Sequence, residues 1–166
     1  AGFLNLAAGD YVVANGETLE AILTEATLKI GEKLSLRRVS RVTVGDGEFI
    51  GAYTHMGGKI VSLVVVSGSS EEVAKDVAMH VAAINPQYID KSEISEEVIA
   101  HERQVLTNEA LNEGKPANIV EKMVVGRLNK YLKDICLVNQ PFVKDPDLSV
   151  EKHLKANGGT IKSFLR

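Results

Sequence analysis

The run KIVSLVVV, residues 59 to 66, constrains the chain more than any other stretch. Successive side chains of a strand alternate between the two faces of a sheet, which puts Ile60, Val64 and Val66 on one side and Val61, Leu63 and Val65 on the other. Both sides are apolar, so this strand belongs inside a sheet rather than at a wetted edge. Its first partner is close by. FIGAYTH, residues 49 to 55, is also β-prone, and only Met56-Gly57-Gly58 separates the two runs. Two such runs on a short glycine-containing link form a hairpin, with GDGEF (45 to 49) turning the chain into it.

The other elements follow from periodicity and punctuation. Residues 16 to 30 predict a helix capped by Thr18, with Leu19, Ile22, Leu23, Ala26 and Ile30 on one face and Gly31 as its stop. LSLRRVSRVTV, 34 to 44, is rich in β-branched residues between glycines and predicts a strand. After the hairpin, Ser69 and Glu72 have capping-box spacing before Val73, Val77, Val81 and Ile84, a helix that Asn85-Pro86 ends.

Ser95 predicts the cap of a helix carrying Ile99, Leu106 and Ala110 and running to about Asn112. Gly114-Lys115-Pro116 links it to another helix with Ile119, Met123, Tyr131 and Ile135, and so short a link makes the two an antiparallel helical hairpin. A short helix near 149 to 156 and a last strand in TIKSFLR complete the chain. This order lacks the βαβ alternation of a parallel sheet, so the class is α+β with mostly antiparallel pairing. The end of the 34 to 44 run, near Gly45, is the expected subdomain boundary.

Composition narrows the function. With 166 residues, 45% of them hydrophobic, the chain can bury a real core. A net charge of -3 disfavours a general nucleic-acid binder. One cysteine, Cys136 between Ile135 and Leu137, points to plain burial and a reducing compartment, the cytoplasm. No run approaches the roughly 18 apolar residues that span a bilayer. AGFLNLAAGDYVVANGE has no basic n-region and predicts no signal peptide. Lacking an initiating methionine, and ending inside a strand-like run, the chain is expected to be a piece of a longer one.

Enzyme chemistry is sparse. NGGT lacks the lysine and spacing of a phosphate loop, and SGSS at 67 to 70 lacks the Gly-x-Ser-x-Gly of a nucleophile elbow, so no cofactor and no catalytic nucleophile are expected. His101-Glu102 has no second histidine one turn on. His80 follows Asp76 by four residues, which predicts a surface ion pair, while His101 and His153 in charged surroundings predict solvated rings. Arg37 and Arg41 share a strand face that Arg38 opposes, so they make no single basic surface, and intramolecular pairing is expected. His55 stands apart: it sits at a hairpin tip, where an exposed loop on a rigid sheet is a common place for binding residues and a plain polar turn residue is the alternative.

Five stretches together, KIGEKLSLRRV (29 to 39), GAYTHMGGKIVSLVVV (51 to 66), VAMHVAAINPQYI (77 to 89), EGKPANIVEKMVVGRLNKYL (113 to 132) and QPFVKDP (140 to 146), resemble the core of the elongation factor Ts family in order and spacing. The resemblance implies two α+β subdomains, each an antiparallel three-stranded sheet with helices, the second carrying a helical hairpin insertion. Here that means an incomplete first subdomain, 1 to 45, and a second, 46 to 166, with its hairpin at about 95 to 137.

It also implies an activity without covalent chemistry, the release of GDP from elongation factor Tu. Carried over, the contacts with the nucleotide-binding domain of that partner are Ile30 and Gly31 after the first helix and His55 at the tip. Met56 stands where family members often have glycine. The family's Thr-Asp-Phe-Val-Ala-Lys-Asn motif does not occur in the chain, so these 166 residues alone are expected to exchange weakly. The rival classes are a metal- or small-ligand-dependent enzyme using His80 and His101, and a structural domain whose apolar sheet self-associates, as in a homodimer.

Overall fold

Gly51 lets one helix lie against the central hairpin closely enough to seal its face. The structure, a computed structural model, describes residues 16–36 and 41–166. It divides into two compact units, the second spanning Val44–Arg166.

In the first unit, α1 (Leu19–Ile30) begins where Thr18 takes an extended conformation and its hydroxyl accepts from the Ala21 N–H at 3.1 Å. It ends at Gly31, whose φ of 78° is the left-handed conformation that glycine adopts without a Cβ clash. Its expected apolar face is only half-buried, and Ile30 remains 61% exposed. The strand expected over 34 to 44 is corrected at its two ends: 34–36 and 41–44 are not strand, and 37–40, with Arg37 and Arg38, lie outside the described residues. β-propensity registers fit to a pleated surface, and no described strand pairs with 34–36 or 41–44. Arg41 makes no ion pair with a described residue.

In the second unit, β1 (Glu48–His55) and β2 (Ile60–Ser67) pair antiparallel from Glu48↔Ser67 to His55↔Ile60. β5 (Thr160–Leu165) pairs antiparallel with the other edge of β2, giving the order β1-β2-β5. β2 is therefore the inner strand that its two apolar faces require. α2 (Glu71–Ile84) covers the face of Ser62, Val64 and Val66 with Val73, Ala74, Val77, Ala78 and Val81, and the Ser62 hydroxyl donates to the Ala78 carbonyl at 2.6 Å.

The cap of α2 is Ser70 rather than the expected Ser69: the Ser70 hydroxyl accepts from the Val73 N–H. Gly68, at φ 76°, turns the chain so that Ser70 has the extended backbone a cap needs. Ser69 instead abuts Gly159 ahead of β5.

α3 (Glu96–Asn112) and α4 (Ala117–Ile135) form the helical hairpin, with Ser95 capping the first. Its seam is Leu106 and Ala110 against Val120, Val124, Leu128 and Leu132. The α4 face is only partly the expected one: Ile135 and Tyr131 join the cluster, but Ile119 is 44% exposed, because the i, i+4 row through Val120 is the one that meets α3. Hydrogen bonds from Leu137 N–H to Tyr88 O and Val138 N–H to Ile89 O tie the hairpin base to the segment after α2. Cys136 is buried there, and burial pushes its thiol pKa up.

A two-stranded ribbon of β3 (Pro141–Phe142) and β4 (Asp145–Ser149) precedes α5 (Val150–Ala156). β3, with two residues, leaves no alternation to read in a sequence, and β4 opens on Asp145-Pro146-Asp147, which reads as a turn.

Candidate functional site

Three consecutive residues at the tip of the β1-β2 hairpin have positive φ: Met56 at 51°, Gly57 at 66° and Gly58 at 93°. The glycine pair is thereby explained, since an L side chain in this region costs about 1–2 kcal/mol. Met56 bears that strain while 63% exposed. Met56→Gly is expected to raise stability by about 0.5–1 kcal/mol, the relieved strain less the extra backbone entropy of glycine, as a shifted urea midpoint at constant m.

This backbone carries His55 as the last residue of β1 and leaves it exposed. Its imidazole stacks with the Tyr53 ring at a centroid distance of 6.0 Å. The ring borders a hollow of about 60 Å³ lined by Tyr53, His55, Met79, Ala82 and Ala83. Sequence reasoning passed over Tyr53, although strand alternation places residues 53 and 55 on one face.

Ile30 and Gly31 lie in the first unit. Leu28 and Ile30 are exposed at the end of α1, and a Cβ added at Gly31 would meet nothing within 4 Å. The end of α1 thus offers an apolar side chain beside a bare backbone.

The other histidines require two corrections. His80 is not on the surface: it is fully buried, and Asp76 pairs instead with Lys144 at 2.8 Å. The Val143 N–H donates to His80 Nδ1 at 3.2 Å, which fixes the proton on Nε2, and Nε2–H donates to Gln140 Oε1 at 2.9 Å. Burial lowers the His80 pKa, opposed by the Gln140 hydrogen bond. With both nitrogens occupied, His80 has no lone pair for a metal.

His153 is not solvated either, because it stacks on Phe142 at 4.1 Å. His101 is exposed on α3, as expected. Among the described residues no three His, Cys, Asp or Glu side chains are grouped to hold a metal ion, and no helix is long and apolar enough to cross a membrane.

The described residues thus present an exposed histidine, His55, at the hairpin tip and a buried one, His80, in α2. Residues 5–166 match the family described as Elongation factor TS. The chain belongs to that family. It is 56% identical over 160 residues to elongation factor Ts of Limosilactobacillus fermentum, covering 96% of this chain and 54% of that protein. To elongation factor Ts of Pediococcus pentosaceus it is 56% identical over 149 residues, covering 90% and 51%. The chain thus spans about half the length of the curated relatives it matches. Within the family frame, residues 51 to 66 are most of β1, the tip and nearly all of β2, and 113 to 132 are most of α4.

Proposed function

We propose that the chain is part of a translation elongation factor that promotes release of GDP from elongation factor Tu in the cytoplasm, pressing His55, and separately Ile30 and Gly31, against the nucleotide-binding domain of that partner. It does so without covalent catalysis. The observation that carries this reading is the tip: a family member presents an exposed imidazole on a hairpin whose three left-handed residues hold a sharp, projecting turn.

Linkage supplies the mechanism. A protein that binds the nucleotide-free G protein more tightly than its GDP-bound form must weaken GDP binding by the same factor. Disturbing the backbone donors and the magnesium ion that hold the phosphates removes strong contacts, and release accelerates.

His55→Ala in the intact factor tests this by release of fluorescent GDP from elongation factor Tu. Release is expected to slow about three- to tenfold, the worth of one hydrogen-bonding contact. Stability should stay within about 0.5 kcal/mol of the parent, as at other exposed positions. An unchanged release rate would remove His55 from the contact.

The enzyme reading has lost its main residue, since His80 is occupied by Gln140 and Val143.

A further inference from the structure

We infer that Tyr53 is a positioning residue for His55: its hydroxyl donates to His55 Nδ1, which leaves Nε2–H as the donor the imidazole offers outward, so the partner atom it meets is a hydrogen-bond acceptor such as a carbonyl, carboxylate or phosphate oxygen. The identity of that atom rests on the proposed contact of His55. The bond between the two side chains does not.

The Tyr53 hydroxyl and His55 Nδ1 are 3.4 Å apart, and their rings lie within 24° of parallel. Tyr53 is itself anchored, because its half-buried ring packs against the core cluster beneath α2. The packed ring holds the phenol O–H at a fixed place beside the imidazole. Among the described residues, His55 is the one hydrogen-bond partner of that hydroxyl.

The Tyr53 hydroxyl can donate or accept, and the inferred direction is donation from the phenol to the imidazole. The bare nitrogen of a neutral imidazole is a good acceptor and a phenolic O–H a good donor, so the proton on the ring resides on the other nitrogen. At 3.4 Å the bond is longer than the usual range of about 2.7–3.2 Å, so it biases the ring rather than locking it. A half-buried tyrosine packed on the core thereby lends its order to an exposed histidine.

Tyr53→Phe keeps the aromatic body and removes only the donor. Imidazole nitrogen NMR of the chain, at a pH where His55 is neutral, should show both ring nitrogens shifting toward free-imidazole values in Tyr53→Phe. Unchanged spectra would overturn the bond. In GDP release from elongation factor Tu, Tyr53→Phe should slow exchange about two- to fivefold. Added to His55→Ala it should slow exchange no further, as two residues acting through one contact are non-additive. An equal loss in the His55→Ala background would overturn the positioning role. If His55→Ala alone leaves release untouched, the contact reading falls by itself, and the spectra still decide for or against the Tyr53 bond.

Discussion

Gly51→Ala is expected to destabilise the second unit by about 3 kcal/mol or more, among the severest effects of a single methyl group in this chain. Gly51 faces Val64 across the hairpin and is fully covered by α2. A Cβ built there would fall deep inside contact distance of the Ala74 carbonyl group and the Lys75 nitrogen. These are backbone atoms of a helix and cannot rotate away. The helix would have to lift from the sheet, opening the cluster of Val64, Val66, Val73, Val77 and Val81. Urea denaturation monitored by circular dichroism would show the loss as a lower midpoint. Gly126→Ala is the control: Gly126 is an exposed position of α4, a Cβ there meets nothing within 4 Å, and the variant should gain about 0.5–1 kcal/mol in helix propensity. Similar stabilities for Gly51→Ala and its parent would contradict the packing of α2 on β1.

The second large effect is expected at His80. His80→Leu keeps the bulk of the side chain but strands the buried Gln140 Oε1 and takes the acceptor from the part-buried Val143 N–H. The cost is about 2–4 kcal/mol near pH 7.5, because the orphaned groups forfeit hydration without recompense, the Val143 N–H only in part. Gln140 also donates to the Asp134 carbonyl, at 2.5 Å, so His80 joins α2 to the end of α4 and to the β3-β4 ribbon.

The same burial makes stability depend on pH. The native state resists protonating His80 while the unfolded chain protonates an ordinary histidine near 6.5. Below that value the unfolded state binds more protons, so stability falls as pH falls, until the lowered native pKa is passed. Above about 6.5 His80 adds no slope. The stability gap between parent and His80→Leu should therefore narrow as pH drops below 6.5, and a constant gap from pH 8 to 5 would contradict a neutral buried ring.

His80 also marks where sequence reading reaches its limit. The inner position of β2 was legible because Val61, Leu63 and Val65 repeat on the second face what Ile60, Val64 and Val66 do on the first. The helical hairpin was legible from Ser95, Gly114 and Pro116, and the end of α1 from Gly31.

His80 invited a local explanation, an ion pair with Asp76 one turn away. Its actual partners stand 60 and 63 residues further along the chain and are brought to it by the whole fold. His80 lies three residues beyond Val77, on the apolar stripe of α2, and that spacing was the available signal. The described ends of the segment 34 to 44, residues 34–36 and 41–44, failed in the opposite direction, because β-branched residues announce a tendency to pair but not the presence of a partner. At the tip, the exposure of His55 was legible from the glycines that follow it. The role of Tyr53 was not, since a tyrosine in a strand is ordinary until its hydroxyl is found beside an imidazole.

The central claim is that this surface exchanges its own binding to an empty G protein for that protein's affinity for GDP. It is tested most directly by the equilibrium affinity of elongation factor Tu for labelled GDP, measured with rising concentrations of the chain and again with His55→Ala. The account predicts that GDP binding weakens to a plateau as the chain saturates its partner, and that the plateau is shallower for the variant. A GDP affinity that stays constant while the chain demonstrably binds would contradict it.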